Sequence, residues 1–156
     1  MSAALQLSPE SGTQTTTQYS TFLIAGRLYG IDVMSVQEVT MPLPLTNVPL
    51  SPPFVKGLIN LRGQISTAMD LRELLGLPSD NPNGKMAVVC RHEDCMVSLL
   101  IDQIGDVVEV GPSTFERTPE TIDSESRRYF KGVHKLPDSM LTVIDVNSIF
   151  SSLNSR

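Results

Sequence analysis

Phe54-Val55-Lys56-Gly57-Leu58-Ile59-Asn60-Leu61-Arg62-Gly63-Gln64-Ile65-Ser66-Thr67-Ala68-Met69-Asp70-Leu71-Arg72-Glu73-Leu74-Leu75 decides the fold, because the chain repeats it. Shifted by 75 positions, it falls without a gap on Tyr129 to Phe150. Phe54-Val55-Lys56-Gly57-Leu58 meets Tyr129-Phe130-Lys131-Gly132-Val133, Met69-Asp70-Leu71 meets Ile144-Asp145-Val146, and Leu74-Leu75 meets Ile149-Phe150. Apolar positions fall on apolar positions, and the turns coincide. Each copy reads as strand, turn, strand and short helix: Phe54–Leu61, Ile65–Leu71 and Leu71–Leu77 in the first, Phe130–Leu136, Met140–Val146 and Asn147–Leu153 in the second. A weaker match at a shift of 68 sets Val36-Gln37-Glu38-Val39 on Ile104-Gly105-Asp106-Val107. Gly57 and Gly132 hold the same point of the repeat. They read as structural glycines, required by a Gly-only backbone or by close packing.

A half of about 65 residues is marginal by itself, so two such units are expected to fuse across one continuous core. Short strands with Gly-rich turns favour small barrels, which remove exposed sheet edges. The seam between two barrels is then a natural partner groove. Further strands are predicted over Tyr19–Ile24 and Leu28–Asp32, and as a hairpin from Met86–Arg91 to Met96–Ile101. One or two helical turns are predicted over Val33–Val39, where valines recur three apart. Met41–Pro53 carries five prolines and reads as a loop or extended edge. Asp80-Asn81-Pro82-Asn83-Gly84 is a strong break, and 111–126 reads as polar and irregular. Residues 1–17, rich in Ser, Thr and Gln, are predicted to be a disordered tail, with the ordered domain over 18–156.

Composition narrows the function. The chain has 156 residues, 40% of them hydrophobic, no Trp and a net charge of -5, so Val, Ile, Leu and Met must build the core. Acidic and basic residues are interspersed, without the basic footprint that nucleic acid or an anionic membrane surface requires. No apolar stretch approaches the length of a membrane span. The first residues lack the basic and apolar regions of a signal peptide, and two cysteines are too few for a disulfide scaffold. A cytoplasmic protein is the expectation.

Two other chemistries fit these features poorly. Cys90, His92 and Cys95, with His134 as a fourth ligand, could in principle hold zinc. Their spacing departs from zinc-site patterns, and the cysteines flank a hairpin turn, so ordinary strand cysteines and no metal are expected. No nucleophile motif or phosphate loop is present, so neither an enzyme nor a cofactor is expected. Asp32, Asp70, Asp102 and Asp145 fall at strand ends, where carboxylates cap turns and helices.

Three stretches carry a family resemblance: Tyr29-Gly30-Ile31-Asp32-Val33 with Val36-Gln37-Glu38-Val39; Pro53 to Gly63 with Met69-Asp70-Leu71-Arg72; and Lys131-Gly132-Val133 with Leu141 to Val146. Together, over about Gln18 to Leu153, they resemble the CheW-like domain of bacterial chemotaxis systems. The Gly-Leu-Ile-Asn-Leu-Arg-Gly run is its most specific part. Where family members commonly carry Pro and then a β-branched residue, this chain has Thr67-Ala68. The resemblance implies a mainly β fold of two fused five-stranded SH3-like β-barrels sharing a core, with short helices including a C-terminal one. It implies a non-enzymatic adaptor with two partners: the CheW-like regulatory domain of a chemotaxis histidine kinase, and the cytoplasmic tip of transmembrane chemoreceptors. In 156 residues no further domain fits, so the stand-alone coupler is the nearest match. Related arrays use the same architecture for other outputs, surface motility among them. Carried over residue by residue, the receptor surface would involve Val33, Val36, Glu38, Asn60 and Arg62, with Glu38 and Arg62 as a partly buried ion pair shaping the groove. The kinase surface would lie on the second barrel, with Leu99, Ile101 and Val108 as its candidates.

Overall fold

Four hairpins and two parallel crossovers set the architecture. The structure, a computed structural model, describes residues 15–41, 43–77 and 86–154. In chain order the strands are β1 (Thr17–Ile24), β2 (Arg27–Asp32), β3 (Val36–Thr40), β4 (Val55–Leu61), β5 (Gln64–Asp70), β6 (Met86–His92), β7 (Cys95–Ile101), β8 (Gln103–Val110), β9 (Phe115–Glu116), β10 (Phe130–Lys135) and β11 (Met140–Ile144). Helices are short: α1 (Leu71–Leu75), α2 (Ser124–Arg127) and the C-terminal α3 (Val146–Asn154).

The strands form two sheets, ordered β9-β10-β11-β2-β1-β8 and β3-β6-β7-β5-β4. They are wired alike. In each, the repeated hairpin (β4–β5 or β10–β11) pairs in parallel with a strand from another hairpin, Thr67 opposite Val97 in one and Thr142 opposite Tyr29 in the other. That second hairpin (β6–β7 or β1–β2) then carries an edge strand, β3 or β8. The hairpin that opens the chain therefore completes the later sheet, and the middle hairpin completes the earlier one. The two halves are interlaced. The two-residue β9 is the extra strand of the larger sheet; its counterpart is a lone bridge between Thr46 and Leu58.

Burial follows from this wiring. The largest apolar cluster lies in the seam and draws from both sheets, with Phe22, Ile31, Met69, Val88, Leu99, Ile144 and Ile149 among its members. A second cluster belongs to the five-stranded sheet, including Ile59, Ala68, Val89 and Met96. A third belongs to the six-stranded sheet, around Tyr19, Leu141 and Val143. Strands β6 and β7 thus bury both faces, which is why Met86–Cys90 and Met96–Ile101 read as continuous apolar runs instead of alternating ones. The apolar area removed from water drives this assembly at roughly 25 cal/mol per Å².

Three boundaries differ from the sequence reading. Residues 1–14 of the expected tail lie outside the described residues, as does the Asp80–Gly84 break, whereas Thr17 pairs with Val110 and opens β1. Over Val33–Val39 only a single 3-10 turn forms, Val33–Ser35, capped by Asp32 Oδ1 accepting from Met34 N at 2.9 Å. Val36 and Val39 then extend against Cys90 and Val88, because β-branched side chains gain more from a half-buried strand than from a second helical turn. The stretch 111–126 holds a 3-10 turn at Pro112–Thr114, then β9 and α2. β9 is pinned by His134, buried on β10, whose Nδ1 lies 2.8 Å from Thr114 Oγ1 and whose ring meets Phe115 and Tyr19.

Burial pushes the His134 imidazole below its ordinary value. The folded state therefore favours the neutral ring. Stability from this site is complete above the unfolded value of about 6.5 and is lost as pH falls through the lower folded value. Urea midpoints measured from pH 7.5 to 5 should fall more steeply for the parent protein than for His134→Gln. Equal slopes would remove His134 from the acid response.

Candidate protein-docking site

The β4–β5 hairpin closes with a two-residue turn at Arg62 and Gly63, both at positive φ (52° and 88°). That pattern suits a type I′ turn, the geometry that matches the twist of the flanking strands. Asn60 Oδ1 accepts from Gly63 N at 2.8 Å and braces it. The turn lifts Arg62 off the end of one edge strand of the five-stranded sheet. Glu38 sits on β3, the opposite edge, yet Arg62 Nη1 donates to Glu38 Oε1 at 2.5 Å. The sheet therefore curls until its two edges are bridged at this end. The carboxylate holds the guanidinium above its usual pKa. The expectation of joint partial burial needs correction: the Glu38 side chain is 22% exposed, but that of Arg62 is 76% exposed. A turn-tip arginine projects from the sheet, so only the carboxylate is sheltered.

Val33 and Val36 are half-buried beside this pair, with Val36 packed on the seam cluster, and Asn60 is exposed. The same elements carry exposed apolar side chains. Met34 (88%), Met41 (64%) and Ile65 (59%) are solvent-exposed, as is Val39 next to Glu38. Isolated exposed apolar residues are ordinary; here Met34 and Met41 bracket β3, Val39 lies on it and Ile65 follows the β4–β5 turn, so the two elements that carry the ion pair also carry exposed apolar side chains, which suits an interaction surface. These residues lay hidden in the sequence because strand alternation does not reveal which face a partner covers.

The candidate kinase residues fare differently. Leu99 and Ile101 are each 1% exposed, inside the seam, and offer no docking surface. Both lie on β7, a central strand buried on both faces. Val108, on edge strand β8, is half-buried, and its neighbour Val107 is 59% exposed.

The zinc set does not converge. Cys90 is buried in the seam, where burial pushes its thiol up to about 12, while Cys95 is exposed at a turn. The His92 ring packs on Phe150, and His134 belongs to the other sheet. Among the described residues no group of three or more His, Cys, Asp or Glu is placed to hold a metal ion. Three of the four strand-end aspartates accept backbone N–H bonds at the caps of short helical segments: Asp32 from Met34, Asp70 from Arg72 and Asp145 from Asn147. Asp102 instead pairs with Arg72 and accepts from Ala25 N at 2.9 Å.

Fold and surface together define a two-sheet β protein whose exposed features suit protein contacts. Comparison with known proteins gives that class its family. The CheW-like domain matches residues 18–154, and the chain belongs to that family. It is similar to the probable chemotaxis protein CheW of Rhizobium etli, 29% identical over 86% of this chain and 88% of that one. It is similar as well to the chemotaxis protein CheW of Treponema pallidum, 30% identical over 86% of this chain and 82% of that one. Among solved structures, the scaffolding protein TtCheW from Thermoanaerobacter tengcongensis aligns with a TM-score of 0.75 at 27% identity, covering 84% of this chain and 90% of that one. The chain is thus a CheW-like scaffold protein of chemotaxis signalling.

Proposed function

We propose that this protein is a non-enzymatic adaptor that docks a chemotaxis histidine kinase onto the cytoplasmic tips of chemoreceptors. One observation carries the reading: the Glu38–Arg62 bridge joins the two edges of the five-stranded sheet, and the elements that carry it also expose Val39 and Ile65, with Met34 and Met41 just before and after β3. A receptor's helical hairpin would place apolar anchors against Val33, Val36 and these neighbours, with Asn60 and Arg62 supplying polar contacts at the rim. The kinase would meet a second face through its own CheW-like domain. Val108 on β8 remains a candidate there, and its exposed neighbour Val107 joins it. Weak individual contacts suffice where many copies are arrayed, because multivalency raises avidity. The protein would act in the cytoplasm, held at receptor arrays by these contacts.

The test is reconstitution of the purified full-length chain with a soluble chemoreceptor hairpin fragment and the histidine kinase of the same organism. Arg62→Ala should weaken receptor binding roughly tenfold, the loss typical of an interface hot spot. Receptor-dependent kinase stimulation should fall with it, while the melting temperature stays close to that of the parent. Unchanged binding and stimulation would remove this face from the receptor contact.

A further inference from the structure

Beside the Glu38–Arg62 bridge lies a second arginine. Arg91, at the exposed end of β6, donates from Nε to Gln37 Oε1 at 2.8 Å and from Nη2 to Gln64 Oε1 at 2.6 Å. Its Nη2 also rests 3.3 Å from Met96 Sδ, and Gln37 Nε2 approaches the same sulfur at 3.6 Å. The two rungs run side by side. Successive β3 residues, Gln37 and Glu38, reach toward the β4–β5 turn, one through Arg91 to Gln64 and the other directly to Arg62. Their charge differs. Arg62 has a carboxylate, whereas among the described residues Arg91 has none within 4.0 Å. Two neutral amide carbonyls fix the guanidinium plane and leave its charge uncompensated, with donors to spare out of five.

The repeat shows that the fold does not require this arrangement. At the equivalent points of the six-stranded sheet stand Leu23 for Arg91, Gly105 for Gln37 and Ser139 for Gln64. An apolar residue closes that end of the sheet.

We propose that Arg91, positioned by Gln37 and Gln64, binds the carboxylate of a Glu or Asp on the partner docked beside Glu38–Arg62; this rests on the receptor-docking reading above. A planar guanidinium already held at two of its N–H groups gives up little side-chain freedom on forming a forked bond to a carboxylate. The site selects an acidic partner at the five-stranded end of the molecule, where the six-stranded sheet has Leu23, Gly105 and Ser139 instead.

The experiment titrates full-length protein with the soluble chemoreceptor hairpin fragment at about 50 and 300 mM salt, concentrations that bracket strong and weak screening. Arg91→Gln should weaken binding roughly tenfold at low salt, with the difference shrinking at high salt. Gln64→Ala should give a smaller loss in the same direction, and both variants should melt near the parent temperature. Loss with Arg62→Ala but not with Arg91→Gln would overturn this proposal and leave the docking face in place. A loss with Arg91→Gln that is independent of salt and accompanied by lower melting would also overturn it, reducing Arg91 to a cap on the sheet. Loss with Arg91→Gln but not Arg62→Ala would uphold the carboxylate site and count against the role given to the Glu38–Arg62 bridge.

Discussion

Gly132→Ala should unfold the protein at a markedly lower urea concentration than the parent, and Gly57→Ala should do the same. Both glycines sit at φ beyond +150° (158° and 152°), where a β-carbon is strained. Both also lie at β-bulges, between Phe130 and Gly132 on β10 and between Val55 and Gly57 on β4. A β-carbon on Gly132 would stand 2.4 Å from Phe115 Cζ and 2.7 Å from Glu116 O. On Gly57 it would stand 2.7 Å from Thr46 O. The obstacle in both cases includes backbone, which cannot swing aside as a flexible side chain can. Backbone strain of about 1 to 3 kcal/mol and overpacking of about 1 to 3 kcal/mol should together cost roughly 2 to 6 kcal/mol. That is a large share of a typical domain's stability. The larger loss should fall at Gly132, where the Phe115 ring must also leave its place against His134. Denaturant midpoints with an unchanged m-value would establish the effect; midpoints matching the parent's would show that the bulges relax freely.

The same pair shows why so much of the fold is legible. A glycine at each of two points 75 residues apart, embedded in matched apolar runs, encodes one local conformation twice. From that repeat the strands, the turn at Arg62-Gly63 and the helices after Asp70 and Asp145 all follow from local rules of alternation, turn chemistry and capping. The hairpins β1–β2 and β6–β7 are equivalent in space, yet Phe22 and Ile24 correspond to Cys90 and His92. Their likeness is invisible in residue types: Phe22 and Cys90 are both buried but differ in volume, and Ile24 is buried where His92 is exposed, so the two hairpins meet different surroundings. Strand β8 went unrecognised since Gly105 and Asp106 interrupt its apolar pattern; there Thr21 closes on the glycine and donates to Asp106 O. The site divides in the same way. Glu38 and Arg62 could be paired through resemblance. Leu99 and Ile101 could not be oriented, because on a strand buried on both faces alternation carries no information about inside and outside. Arg91 gave no signal at all. Its meaning depends on Gln37 and Gln64, 54 and 27 residues away, which meet it only when the sheet curls.

Asp102→Ala should cost roughly 3 kcal/mol, the low end of the range for removing one partner of a buried ion pair. Asp102 follows β7 and ties together three parts of the chain: it pairs with Arg72 on α1, and it accepts from Ala25 N in the β1–β2 turn. The Arg72 side chain is only 7% exposed, so its charge cannot regain full solvation when the carboxylate is removed; Asp102, at 22%, retains more contact with water. Because Ala25 closes a hairpin of the six-stranded sheet and Arg72 lies on the helix that follows β5 of the five-stranded sheet, this carboxylate is a polar link between the two halves. Asp102→Asn, which keeps an acceptor for Ala25 N while losing the charge, should cost less than Asp102→Ala. Arg72→Met combined with Asp102→Leu should cost less than the sum of the single changes, since replacing both charges by apolar groups avoids stranding either one. Urea denaturation of the four proteins closes the cycle. Additive losses would show that the two side chains contribute independently and that their pairing is not what links the halves.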